Sequence, residues 1–221
     1  TARSAEMVRV QPRAALVVCE LALLQGVPFD ERGLGFVQIV AAHLAESRKY
    51  WEHLPSLTEG MLEGRDIPLS DAICAAQTSR VNTVKSIAPS ARQALLFGVT
   101  TARALRVCLG AGLPWYRLLA EGMRFEARLA VDAAGLKVDD VFALDDRFDE
   151  LGIEELPFSL DAPRFIAALK ETRLKRANRF MFSLPKHVGT IRLSVVDDEL
   201  LERHAGAYLA SRAELLDEDA G

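Results

Sequence analysis

The residue types that most often carry out chemistry do not form a recognisable catalytic set in this sequence. Ser86, Ser90 and Thr100 have no histidine and acid close by, which gives no support for a hydrolase triad. No glycine-rich phosphate loop follows a predicted strand. The histidines are far apart and form no H-x-x-x-H pair, so a zinc site built on one helix is not predicted. These histidines are His43, His53, His187 and His204.

Length and composition indicate a globular protein with a substantial core. The chain has 221 residues, of which 50% are hydrophobic, enough for one large domain or two small ones. The net charge is −4 with both signs mixed, so neither nucleic acid nor an anionic membrane is expected as a partner. No stretch reaches the roughly 20 apolar residues of a membrane helix.

The cysteines and the first residues indicate the compartment. Cys19, Cys74 and Cys108 are odd in number, widely spaced and set in apolar segments, so we predict buried free thiols in a reducing compartment. The sequence begins without a secretory pattern. We therefore expect a cytoplasmic protein.

Two apolar helical segments at residues 92–109 and 115–129 form the centre of the predicted fold, joined by a turn at residues 110–114. Each has a broad apolar face, which is typical of a helix inside a domain. Gly98 and Gly122 each cost about 1 kcal/mol relative to Ala in a helix, so they need a packing or functional reason. Close contact between the two helices is the simplest such reason.

The rest of the chain is predicted to be helical, with one β-hairpin. The fold class is mainly α: a single domain over residues 1–221, with about seven or eight helices and a small β-hairpin. Asp30, Ser70 or Asp71, and Asp161 are predicted helix N-caps. The predicted elements are an extended strand within residues 1–20, helices at 31–47, 48–63, 72–87, 138–151, 162–175 and 198–216, a hairpin at 178–196 and an acidic tail at 217–221.

Several motifs, in order, cover almost the whole chain. RQALLFGVTTAR at residues 92–103 and WYRLLAEGM at 115–123 resemble R-x-x-L-N-x-G-H-T-x-G-H and H-G-E-A-V-A-x-G-M. Residues 11–17 resemble Y-Q-P-R-A-V-L-I, residues 33–37 resemble G-L-A-E-V, and residues 165–184 resemble a late helix and strand. The chain is thus similar to the C-terminal domain of 3-dehydroquinate synthases and related sugar phosphate cyclases.

The resemblance implies that the metal chemistry of this family is lost. Those enzymes hold a divalent metal, usually zinc, with one Glu and two His, while NAD binds to an N-terminal domain. The three ligand positions correspond here to Phe36, Val99 and Trp115, which offer no ligand atom to zinc. The position of a catalytic lysine corresponds to Ile39. We therefore expect no metal in this chain, and NAD only if a partner chain supplies it.

The resemblance also implies a set of anion-binding positions. Arg92 corresponds to a family arginine that helps to hold the substrate phosphate, and other arginines lie near further anion-binding positions. Guanidinium groups suit phosphate or carboxylate recognition. The alternative is that they are solvated helix-face residues paired with acids. The predicted ligand-binding residues are Arg80, Arg92, Arg103, Arg173 and Arg179, with Phe36 and Trp115 as an apolar wall.

Different kinds of function remain open from the sequence. The first hypothesis is a metal-free, catalytically degenerate partner or regulatory subunit, which joins a separate NAD-binding chain or forms a homo-oligomer. The second is an enzyme that reuses the old cleft for metal-independent chemistry on a small anionic or cyclic substrate. A third is a plain scaffold protein. Whether the cleft between the central hairpin and the helix at residues 31–47 is open or filled separates them.

Overall fold

The computed structural model describes residues 18–24, 26–172, 174–176 and 179–218. Within these residues the chain forms helices and one small antiparallel sheet, so the predicted mainly α fold with a β-hairpin is confirmed. Short 3₁₀ turns lie at Leu21–Leu24 and Gln93–Leu96. The helices are α1 (Phe29–Glu46), α2 (Arg48–His53), α3 (Pro55–Leu62), α4 (Asp66–Lys85), α5 (Pro89–Arg92), α6 (Val99–Leu109), α7 (Trp115–Ala134), α8 (Val138–Glu150), α9 (Ala162–Thr172) and α10 (Asp198–Glu218); the strands are β1 (Leu174–Arg176), β2 (Arg179–His187) and β3 (Thr190–Val195).

Helices α6 and α7 form the predicted central hairpin, and a pair of glycines sets their distance. A Cβ placed on Gly122 would lie 2.2 Å from the carbonyl oxygen of Gly98. Gly98 has a φ of +78°, which residues with a Cβ rarely adopt, and a Cβ there would collide with Met123. The predicted close helix contact is therefore confirmed as the reason for both glycines.

The other helices surround this hairpin. Helices α1 and α8 pack against α7, α9 packs against α6, and α4 covers the outer side of α1. Phe125 of α7 makes edge-to-face contacts with Phe165 of α9 and Tyr208 of α10, at centroid distances of 5.6 Å and 5.2 Å. Such aromatic pairs contribute about 0.5–1.5 kcal/mol each beyond the area that they bury. The late helices are thus anchored on the centre of α7.

The sheet joins two segments that flank a cleft. Its strand order is β1-β2-β3, with both pairs antiparallel and Leu184 opposite Arg192. The backbone N–H of Gly189, in the turn between β2 and β3, donates to the Leu44 carbonyl near the end of α1 at 2.7 Å. The Ser183 hydroxyl donates to the Gln93 carbonyl at 2.8 Å. The sheet therefore fixes the end of α1 and the Gln93–Leu96 turn together.

Several helix boundaries differ from the prediction. Helix α4 begins at Asp66, so Ser70 and Asp71 lie inside it rather than capping it, because Pro68 is still in the first turn, where proline is tolerated. Asp30 lies inside the first turn of α1 and accepts a hydrogen bond from the Tyr116 hydroxyl at 3.1 Å. The predicted cap at Asp161 is confirmed, because its carboxylate accepts from the Arg164 N–H at 3.0 Å.

The predicted helix over residues 92–109 is broken. Residues 93–96 form a 3₁₀ turn, and the left-handed Gly98 starts a new helix at Val99. The predicted burial of the thiols is wrong for Cys19 and Cys74, which are exposed, while Cys108 is buried. Residues 1–17 of the predicted first strand and 219–221 of the acidic tail lie outside the described residues. No helix in the described part of the chain is long and apolar enough to span a membrane.

Candidate functional site

A cleft lies where some of the positions carried over from the family motifs meet. Helices α1 and α4, the Gln93–Leu96 turn and the first residues of α6 and α7 enclose a space of about 300 Å³. The cleft predicted between the central hairpin and α1 is therefore open. Its apolar wall is formed by Ile39, Phe97, Val99, Trp115, Leu119 and Met123.

Three of the carried-over positions reach this cleft from three different helices. Ile39 comes from the middle of α1, Val99 is the first residue of α6, and Trp115 is the first residue of α7. The left-handed Gly98 and the residue Pro114 directly precede the two helix starts, so backbone chemistry fixes where Val99 and Trp115 stand. The cleft therefore gathers residues that are far apart in sequence.

The opposite side of the cleft is polar. Gln38 of α1 and Gln77, Arg80 and Thr83 of α4 line it, and Arg80 is exposed to solvent. The cleft thus has an apolar wall, with amide groups and one guanidinium on its rim. This lining suits a small ligand that has an apolar face and a few polar groups.

The donor set does not fit a divalent metal. Val99 and Trp115 on the cleft wall carry no oxygen, sulfur or imidazole ligand, and Phe36 faces a neighbouring cavity. Among the described residues, no group of three His, Cys, Asp or Glu side chains is placed to hold a metal. His43 is buried instead, with its Nδ1 2.8 Å from the Ile39 carbonyl, and burial lowers the pKa of its imidazole. The described residues thus lack a metal site both at Phe36, Val99 and Trp115 and around them.

The predicted arginines do not come together. Arg80 lines the cleft, whereas Arg92 is exposed on α5 and donates to the Ser86 carbonyl at 3.1 Å. Arg103 is half-buried on α6 and is not among the residues that line the cleft. Arg173 and the side chain of Arg179 lie outside the described residues. Of the predicted binding residues, Arg80 and Trp115 are thus the two that share this cleft.

A second cavity adjoins the first and is larger, at about 660 Å³. It lies between the Leu21–Leu24 turn, α1 and the segments around α3 and α4, and it contains Phe36. Gly35, Ile39 and Ile73 line both spaces and form the partition between them. The apolar wall predicted from Phe36 and Trp115 is therefore divided: each residue faces its own cavity.

A buried carboxyl that was not predicted from the sequence lies behind the cleft. Glu126 of α7 is fully buried and accepts from the Gly98 N–H at 2.6 Å, the Thr101 N–H at 3.2 Å and the Thr101 hydroxyl at 3.0 Å. It therefore caps α6, whose own N-cap residue is a glycine without a side chain. Burial raises the pKa of Glu126 to about 8, against the lowering effect of these hydrogen bonds. In the sequence, Glu126 is marked only by being an acidic residue within the apolar helical pattern of α7.

An ionic network between α7 and α10 was not predicted from the sequence either. Glu121 and Arg124 of α7 are fully buried, and Glu121 accepts from the Arg212 guanidinium and from the Tyr208 hydroxyl of α10. Arg212 also contacts Glu155 at 2.8 Å. Burial, followed by the Glu121 charge, raises the pKa of the Tyr208 phenol well above its ordinary value. This network holds the last helix in place and lies outside the residues that line the cleft.

Comparisons with known proteins relate this architecture to one group of enzymes. The sequence matches no protein-family model and no curated protein. Its fold matches ValA, a 2-epi-5-epi-valiolone synthase from Streptomyces hygroscopicus subsp. jinggangensis 5008 with NAD+ and Zn2+ bound, with a TM-score of 0.71 and 16% identity over 88% of this chain and 54% of ValA.

Two structures of 2-deoxy-scyllo-inosose synthase have TM-scores of 0.64 and 0.62, each with 17% identity, over 84% and 83% of this chain. The first is complexed with carbaglucose-6-phosphate, NAD+ and Co2+. The chain spans about half the length of these neighbours, 52% to 54% of each. The dehydroquinate synthase-like fold predicted from the motifs is therefore confirmed, and the coverage is consistent with a single domain of those enzymes.

Proposed function

We propose that this chain is a metal-independent partner or regulatory subunit in a sugar phosphate cyclase-like assembly, where its cleft side packs against a nucleotide-binding chain that carries NAD. The observation that carries the proposal is the convergence of Ile39, Val99 and Trp115 on one cleft of a cyclase-like fold, with no metal ligand among them. Two of the three positions assigned to metal ligands thus share the cleft, while Phe36 lies in the neighbouring cavity, and all three carry apolar side chains.

An apolar surface beside the cleft supports a protein partner. Val81, Val84, Ile87 and Leu95, here called the rim patch, lie at the end of α4, just after it, and on the Gln93–Leu96 turn that contacts α4. Their side chains are 44%, 54%, 96% and 42% exposed. Leu95 also lines the cleft, so a chain bound to the rim patch would close the cleft at the same time. Apolar groups gathered at one site are typical of interaction surfaces.

The solved neighbours suggest the kind of partner. ValA and one 2-deoxy-scyllo-inosose synthase structure contain NAD+, and this chain spans about half of each. We therefore take the half of each neighbour that this chain does not span as the model for a nucleotide-binding partner. The exposed thiols of Cys19 and Cys74 suit a reducing compartment, so we place the assembly in the cytoplasm.

Native mass spectrometry of the protein purified from its own cells, with metal analysis of the same sample, tests this proposal. We expect a metal-free complex with a nucleotide-binding protein. The Ile87→Asp substitution should weaken that complex about tenfold or more, because a carboxylate would be buried without a partner in the interface.

The matched control is Phe142→Asp on α8, which changes another exposed apolar residue, 61% accessible against 96% for Ile87, that lies outside the rim patch. It should leave the complex intact. A chain that stays alone in every preparation would contradict the partner proposal, and bound zinc would contradict the assignment of the ligand positions.

The open cleft favours one second candidate: a metal-independent enzyme or binding protein for a small cyclic anion. A cleft of about 300 Å³ with Trp115 on its wall and Arg80 on its rim has the size and polarity for such a ligand. Glucose 6-phosphate is a suitable probe, measured by calorimetry. In this candidate Arg80→Ala weakens binding about tenfold, because a charge-assisted hydrogen bond is lost. Arg92→Ala is the matched control, and equal effects of the two substitutions would refute the role of the cleft.

A further inference from the structure

The second cavity contains a glycine that packing does not explain. Gly35 lies within α1, where glycine is less favourable than Ala. A Cβ on Gly35 would meet nothing within 4 Å. Two positions earlier, by contrast, a Cβ on Gly33 would lie 2.8 Å from the Tyr116 ring, so that glycine is required by close packing. Gly35 is exposed and lines both cavities, so a longer side chain there would extend into open space at the partition between them.

The lining of the second cavity is apolar apart from three charged residues. Phe36, Met61 and Leu69 provide part of the apolar lining, and Glu31, Arg32 and Glu63 provide the charges. Glu63 is already paired, because its carboxylate lies 2.7 Å from the Arg65 Nε. Glu31 is exposed to solvent.

Arg32 is the cation of this lining, and no hydrogen bond or ion pair engages its side chain among the described residues. The side chain is half-buried, and its Nε is shielded from solvent and so does not face the cavity. The Nη groups are therefore the donors that a bound molecule would meet. A guanidinium of this kind pairs best with a carboxylate.

We propose that this second cavity binds a monocarboxylate with an apolar body, whose carboxylate pairs with Arg32 and whose body fills the space beside Phe36 and Gly35. Its volume of about 660 Å³ lies within the usual range of small-molecule sites. The proposal is independent of the proposed partner function, because neither Arg32 nor the cavity belongs to the rim patch.

Calorimetric titration of the purified chain with decanoate and with decan-1-ol tests this inference. The two probes share an apolar chain and differ in the carboxylate. We expect decanoate to bind with one site per chain and about tenfold or more tighter than decan-1-ol, as a charge-assisted hydrogen bond requires. Arg32→Leu should remove that difference.

Two further variants make the result specific. Gly35→Leu should abolish binding by filling the cavity, and it should not lower the melting temperature, because leucine is the better helix former. Arg106→Leu is the matched control: Arg106 is also half-buried with an unpaired Nε among the described residues, but it stacks on Trp115 at 5.5 Å, outside the second cavity. The inference is overturned if decanoate does not bind, if both probes bind equally, or if Arg106→Leu weakens binding as much as Arg32→Leu.

Discussion

The buried carboxyl of Glu126 makes a quantitative prediction about pH. Its ordinary pKa of 4.5 is raised to about 8 in the fold, so the folded protein holds a proton that the unfolded chain releases above its own pKa. The folded state therefore binds more protons between these two values. The free energy of unfolding must fall as pH rises through this window, and the contribution is fully present only below the lower value.

The size of this effect follows from the window. Each pH unit inside it changes the free energy of unfolding by up to about 1.4 kcal/mol, so two units correspond to about 3 kcal/mol from this one group. Glu126→Gln removes the titration while it retains an amide oxygen as an acceptor for the capping N–H groups. The stability advantage of wild type over this variant should shrink by about 3 kcal/mol between about pH 5.5 and about pH 7.5.

Urea unfolding of both proteins at these pH values measures the difference. The buried imidazoles of His43 and His204 have lowered pKa values and act in the opposite direction below their ordinary pKa of 6.5, but they are present in both proteins and cancel. Glu214→Gln, at an exposed position of α10, is the control for removal of a carboxylate away from the buried cap. Parallel pH profiles for wild type and Glu126→Gln would refute the raised pKa: they would mean that Gly98, Thr101 and the helix dipole keep the carboxylate ionised.

Three further predictions concern the framework. Gly122→Ala should destabilise the protein by about 2 kcal/mol because its Cβ would overlap the Gly98 carbonyl, whereas Gly206→Ala, with open space at the Cβ, should stabilise it by about 0.5–1 kcal/mol. Arg212→Met should cost about 3–5 kcal/mol in urea unfolding because Glu121 loses its close ion pair with Arg212 and retains a longer contact of 3.8 Å with Arg124. The His204 imidazole should titrate below its ordinary pKa in NMR spectra, since burial disfavours its charged form. An unchanged melting temperature for Gly122→Ala or Arg212→Met, or a normal His204 titration, would contradict the corresponding argument.

The sequence was sufficient for the architecture because local patterns encode it. The apolar spacing of Leu118, Met123 and Phe125 predicts the central helix, and Gly98 with Gly122 predicts its close contact with the preceding helix. The alternating residues on either side of residues 185–189 predict β2 and β3. Strand β1 and the early start of α4 depend on tertiary contacts and were not predicted.

The buried charges could not be predicted in the same way. Charged residues within a helix usually lie on its solvent side, yet Glu121, Arg124 and Glu126 are fully buried on α7. Their burial depends on partners such as Arg212 and the Gly98 N–H, which are distant in sequence and adjacent only after folding. The sequence predicted where the first cleft lies but not that it is open, and it did not predict the second cavity, since an open space depends on how several side chains pack.

The framework of the cleft is separate from the side chains that line it. Val99 is placed by the Gly98–Gly122 contact and by the cap that Glu126 supplies to the start of α6. None of these interactions involves the side chain of Val99 or Trp115, so the geometry at the start of α6 does not depend on which side chains stand at these two positions. Substitutions at Val99 should therefore change the lining of the cleft, whereas substitutions at Gly98 or Gly122 should change whether the cleft forms. The shape of the cleft and the chemistry of its lining thus depend on different residues.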